Sequence, residues 1–328
     1  RAIFVHNDVV HLNFSLYDMQ KGIEYAHENS KKVYITVNSY PQQSELAACK
    51  KAIDDAYTLR ADAVIVSDLA ILDYTSKKYP DMHIHLSVQV GASNAEAIKF
   101  FKDNFNVTTV VLPRVVTIDE IKAISENCDV DIEIFAFGSL CINYEGKCFL
   151  SPYITGESTN TIGTCSTPKY LNFYEHADKL SVEMNNIIMN EYGADELALS
   201  PKISGGKYNK ADSEETQWAD NFLINRRQIC KCRLINTTTG EKSYAMQSPV
   251  YLNTIDLLDK FIAAGVSSIK IEGRQRNEEY VSESVSIFRR VIDEYADTGS
   301  LSITDDERER LNMLFATIEP SQTCYINK

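Results

Sequence analysis

The 328-residue chain is short of several features that would set its class at once. It has no apolar run near the roughly 18 residues a membrane helix needs, so a helical span is not expected. Its opening, RAIFVHNDVVHLNF, holds no apolar h-region, so no secretory signal is legible and a cytoplasmic location is expected. The first residue is Arg1 and not Met, which reads as a processed chain or a fragment. Positive charge is in deficit: 33 Lys and Arg stand against 46 Asp and Glu, a formal net charge of −13. Phosphate contacts need cations, so RNA is the less expected partner. There is no His-Glu-x-x-His and no Gly-x-Ser-x-Gly, which argues against zinc-peptidase and serine-hydrolase chemistry.

What is present is an ordinary globular composition, 44% hydrophobic and 24% charged, able to bury a sizeable core. Eight cysteines in a chain of this kind point away from a disulfide framework and toward metal or redox use. Cys49 and Cys128 fall in helical patterns and read as plain thiols.

The first part of the chain alternates strand-like runs at 33–38, 63–68, 83–90, 107–114 and 131–138 with helical patterns near 44–59, 70–79, 93–104 and 117–127. That rhythm is the mark of βαβ units and a parallel sheet. It stops after Gly138 and resumes with a helix at 254–264, a strand at 267–272 and a long helix from Glu278. The expected architecture is an α/β, TIM-like (β/α) barrel, with residues 1–138 and 244–298 as its body. Residues 139–243 form a cysteine-bearing insertion, of which 167–229 is an extra segment, and 299–328 a C-terminal tail. Six strands are legible where a closed barrel needs eight, so the first strands are expected to lie upstream of Arg1. An open sheet is the alternative.

Parity within the strands divides their residues between two faces. Thr36 and Asn38, His85, Ser87 and Gln89, Glu133, Phe135 and Phe137, and Lys270 and Glu272 fall on the more polar set. In a barrel that face points inward and the carboxyl ends form the mouth. Glu133, Lys270 and Glu272 are the candidate catalytic residues there, and Asn38, Gln89, Arg114 and Arg274 the candidate substrate-binding ones. The plainer reading of the charged members is a set of internal salt bridges, Lys270 with Glu133 or Glu272.

Cys141, Cys148, Cys165, Cys230 and Cys232 are concentrated after the break. Thiolates are soft ligands that suit zinc or iron–sulfur clusters. Spacings of seven and seventeen between the first three do not match paired C-x₂-C zinc sites, whereas clusters accept ligands from separate loops.

EIFAFGSLCINYEGKCFLS, with NFSLYDM, KKVYITVN, AVIVSD and SSIKIEGRQRNEEYVSESVSIFRRVID, resembles the peptidase U-32, or collagenase-like peptidase, family over roughly residues 12–170 and 228–297. The resemblance implies an iron–sulfur protein of oxygen-independent hydroxylation, with prephenate as a small-molecule carboxylate donor of oxygen. It carries Cys141, Cys148 and Cys165 over as ligands of a cluster, expected to be [4Fe-4S], with Cys232 as fourth ligand and Cys230 as its alternative. The chain departs from the pattern in two ways. The Cys232-Arg233 pair comes about 65 residues late, and the further C-terminal module of RNA-modifying relatives is not seen. The acceptor is therefore open. A small molecule, a peptide or a partner protein is expected over RNA, and a non-catalytic iron–sulfur partner subunit is the competing role.

Overall fold

The structure, a computed structural model, describes residues 4–6, 14–141, 143, 145–149, 233–235, 242–244, 250–273, 276–315 and 319–321. It divides into two compact units. The larger comprises residues 1–147, 160–163 and 250–328. In the smaller, the described residues are Cys148, Phe149 and an antiparallel pair, β7 (Arg233–Ile235) with β8 (Lys242–Tyr244).

The larger unit is built on repeated strand–helix units. β1 (Phe4–His6), β2 (Tyr34–Val37), β3 (Ala63–Val66), β4 (Ile84–Leu86), β5 (Val107–Val111) and β6 (Asp131–Ser139) lie side by side in chain order, all parallel. The helices between them are α1 (Leu16–Glu28), α2 (Leu46–Thr58), α3 (Leu69–Lys78), α4 (Ala95–Phe105) and α5 (Ile118–Asn127). Their starts follow from local chemistry. Ser15, Asp68 and Asn94 each accept a backbone N–H with their side chain at an N-cap, and Thr117 with Glu120 makes a capping box.

After β6 the sheet forks. β10 (Ser268–Ile271) runs parallel along one edge of β6, and β9 (Val250–Asn253) pairs antiparallel near its end, so that Phe137 is partnered by both Ile271 and Asn253. β11 (Glu319–Ser321) adds to β9. Short α6 (Leu258–Ala263) connects β9 to β10, and α7 (Glu278–Thr298) and α8 (Asp305–Met313) follow. The result is a mixed α/β fold with a curled, half-barrel sheet. A closed eight-stranded barrel is not formed among the described residues, because β10 does not pair back to β1.

Three local expectations change. A strand too short to be read from its pattern, β1, precedes the first one counted. The run at 83–90 stops being a strand at Leu86, because the Ser87 hydroxyl accepts the Gln89 N–H and caps a 3₁₀ turn at Val88–Val90. The face of Phe137 also differs from simple parity. Lys270 pairs with Phe135 but Ile271 with Phe137, so β6 holds one extra residue there. Beyond that bulge Phe137 packs on Tyr251, Tyr280, Phe288 and Phe315, away from the interior side chains.

Elsewhere parity holds. Ile35, Val37, Val64, Val66, Ile84, Leu86, Val110, Ile132 and Ile134 are buried in the core that the helices cover. The opposite face carries Tyr34, Thr36, His85, Thr109 and Glu133, all but Tyr34 also buried.

Candidate active site at the end of the curled sheet

The interior face is charged, and its charges are paired. Lys270 donates from Nζ to Glu133 Oε1 at 3.0 Å, as the plainer sequence reading expects, and Ser268 Oγ donates to the other oxygen of Glu133 at 3.4 Å. His85 lies among these groups, 6% exposed, with its ring edge-on to Tyr34 at 4.5 Å between centroids. Burial, opposed by the charge of Glu133, pulls its imidazole down to about 4, so it is neutral at ordinary pH.

One layer nearer the carboxyl ends, Arg114 is 4% exposed and its guanidinium lies 3.6 Å from the centre of the Phe135 ring. The two ends of its fork serve different carboxylates. Nη1 donates to Glu145 Oε1 at 2.7 Å, and Nη2 lies 2.7 Å from Glu272 Oε1. Glu272 in turn accepts the Ser139 N–H at 2.9 Å through Oε2. That contact needs Gly138, whose φ is +142° and where an added Cβ would fall 2.6 Å from Glu272 Cβ. Arg114 and Glu145 are buried, so losing either partner of that pair is costly, whereas Glu272 is about one-third exposed and its pairing is partly screened.

Asn38 and Gln89 stand at the carboxyl ends of β2 and β4. Asn38 Nδ2 donates to Ser87 Oγ at 3.2 Å, and Ser67 Oγ donates to the Asn38 carbonyl. The Tyr40 hydroxyl donates to the Gln89 carbonyl at 2.8 Å. Among the described residues, Asn38 Oδ1, Gln89 Oε1 and His85 Nδ1 are buried and accept no hydrogen bond. These atoms could read a neutral hydrogen-bonding group on a ligand.

Cys141 is half-buried two residues beyond the end of β6, and Cys148 is half-buried in the smaller unit. Both offer the soft sulfur that a cluster or zinc takes. Cys165, Cys230, Cys232 and Arg274 lie outside the described residues, and among the described residues no three metal-ligating side chains form a group. Cys49 packs in the core from α2, and the Cys128 thiol donates to the Ala95 carbonyl.

Glu145 and Gly146 belong to the same neighbourhood and were not singled out from sequence. Gly146, at φ +76°, packs so tightly that a Cβ would fall 1.9 Å from the Gln89 carbonyl oxygen. The only sequence trace of this pair was its position in the short spacer before Cys148.

The model of peptidase family U32 matches residues 9–327. This chain belongs to that family. Among its U32 relatives is the tRNA hydroxylation protein P of Haemophilus influenzae, 30% identical over 295 residues, covering 89% of this chain and 60% of the relative. The 23S rRNA 5-hydroxycytidine synthase of Escherichia coli is 36% identical over 152 residues, covering 46% of this chain and 22% of that protein. A relative from Porphyromonas gingivalis named collagenase is 28% identical over 294 residues, covering 86% and 56%. The chain thus spans about 60% of the length of the tRNA hydroxylation protein P of Haemophilus influenzae and of Escherichia coli. A solved U32 peptidase structure covers 54% of this chain at 14% identity, with a TM-score of 0.40. No helix among the described residues is long and apolar enough to cross a membrane.

Proposed function

We propose that this U32 chain carries the core of an iron–sulfur-dependent, oxygen-independent hydroxylase that takes oxygen from a small carboxylate donor, with prephenate the candidate. The observation that carries the reading is the link Arg114–Glu272–Ser139: it ties the charged interior of the sheet to the segment that leads directly into Cys141. Cys141, Cys148, Cys165 and Cys232, or Cys230 in its place, would hold the cluster, whose chemistry when bound is electron transfer or Lewis-acid activation. Of these, the two described cysteines, Cys141 and Cys148, have the right donor chemistry for that group.

The chain's own residues would do the positioning. A carboxylate entering the interior exchanges with Glu133 for the Lys270 ammonium, and Glu133 is then released to accept a proton at Oε1. Arg274, just beyond β10, adds a second cation for a dicarboxylate. Asn38 and Gln89 orient the polar end of a ligand through their buried oxygens. Phe135 floors the site as an apolar wall beneath the cations.

The names of the relatives, tRNA hydroxylation protein and rRNA hydroxycytidine synthase, bring an RNA base forward as the acceptor class. This runs against the expectation drawn from the net charge of −13. A local surface or a further module can supply the phosphate contacts that the overall charge does not.

The test is calorimetric titration of prephenate into anaerobically reconstituted protein, wild type against Lys270→Met, with iron counted in the same samples. Loss of donor binding at unchanged iron content is expected. Equal donor affinity in both would remove Lys270 from the site.

A further inference from the structure

We infer that Arg114 is a positioning residue for Cys141, acting as a clasp that closes the segment Ser139–Gly146 onto the end of the sheet. The segment is fastened at three places. At its start the Ser139 N–H is held by Glu272. Near its end Glu145, 8% exposed, is held by Arg114, and Gly146 rests on the Gln89 carbonyl. Both carboxylates meet on the one guanidinium, so the two flanks of Cys141 are joined through a single side chain.

The chemistry of arginine suits this role. Its planar fork presents separate N–H donors to two acceptors at a fixed angle, and its flat face lies on Phe135. A lysine has the charge but not the fork, and would hold one carboxylate at the expense of the other. With both ends of the fork committed to protein carboxylates, Arg114 shapes the site.

The inference deepens the proposed function, because the fastened segment carries the first proposed cluster ligand. Its geometry lies wholly in the protein, so it is tested on metal-free protein. The rate at which iodoacetamide alkylates Cys141 is followed by peptide mass spectrometry, with Cys128 as an internal control for an intact sheet–helix body. Glu145→Ala and Arg114→Met should each raise the Cys141 rate about tenfold or more, as local opening does, and leave Cys128 unchanged. Glu145→Gln, which keeps an acceptor oxygen for Arg114, should restore most of the protection. Arg114→Lys should fall between wild type and Arg114→Met. If Arg114→Met does not fold, Glu145→Ala decides, because it keeps the Arg114–Glu272 pair.

Unchanged Cys141 rates in Glu145→Ala would overturn the clasp. So would equal rises at Cys141 and Cys128, since Arg114 would then merely stabilise the fold. Failure of the cluster reading shows differently: wild-type protein would take up no iron while the alkylation pattern stood.

Discussion

Among the described residues, two networks of arginine and glutamate share one chemistry in different surroundings. On the outside, Arg290 of α7 bonds Glu294 and Glu307, and Arg310 of α8 bonds Glu283, so that the two helices are laced together across a half-exposed seam. Inside, Arg114 bonds Glu145 and Glu272 over an aromatic ring, with Lys270 and Glu133 below. The outer arginines are 40–45% exposed, so their pairs exchange water for partners at little net gain and are screened by salt, with buried Glu307 the exception. The inner set has few solvent contacts to fall back on. Damage to the inner set is therefore expected to cost the fold more than damage to the outer one. An inner cluster of three carboxylates and two cations is also a costly way to stabilise a core that apolar residues could fill, which is why it reads as a site.

The sharpest way to break the comparison is at Arg114. Arg114→Met strands two carboxylates, one of them buried, and should cost about 3–5 kcal/mol in chemical denaturation, with little dependence on salt. A loss no larger than that of an outer arginine would show that the inner network is solvated after all.

A second effect belongs to His85. Its folded pKa is lowered to about 4 from 6.5, so between those values the unfolded chain binds a proton that the folded chain refuses. The contribution of His85 to stability should fall as pH drops from about 6.5 to about 4, by on the order of 3 kcal/mol, and that contribution levels off below. His85→Asn should flatten that part of the profile in urea titrations run at a series of pH values. An unchanged slope would assign the acid sensitivity to other groups.

Gly146→Ala is smaller, roughly 1–3 kcal/mol, since it combines a positive φ with overlap on the Gln89 carbonyl. It should also speed alkylation of Cys141, which a purely energetic defect elsewhere would not do. Smallest is the outer seam: Thr304→Ala removes the capping box of α8 and should cost about 1 kcal/mol, read as a small shift in Tm. If it equals Arg114→Met in magnitude, the contrast between the networks fails.

The sequence made the βαβ rhythm legible because helix-covered parallel strands concentrate Val and Ile in short runs, and parity then separated Ile132 and Ile134 from Glu133 and Phe135. It went astray where tertiary pairing overrides pattern. One residue of bulge turned Phe137 toward α7, and a serine cap ended β4 at Leu86. β1 and β11 are three-residue strands that no period can reveal. At the site, the Lys270–Glu133 pair was legible because both residues stand at interior positions of neighbouring strands. The Arg114–Glu145 pair was not, because Glu145 lies 31 residues away in an irregular spacer whose conformation depends on a glycine. Arg114, expected as a substrate contact, proves to be engaged with two protein carboxylates.

The proposed function stands or falls on whether Cys141, two residues beyond β6, is a ligand of an iron–sulfur cluster. The most direct test is the iron and acid-labile sulfide content of protein purified without oxygen, wild type beside Cys141→Ala. Wild-type protein should be brown with iron and sulfide in equal amounts, and the variant should lose both. Stoichiometric zinc without iron, or a full cluster in Cys141→Ala, would contradict it.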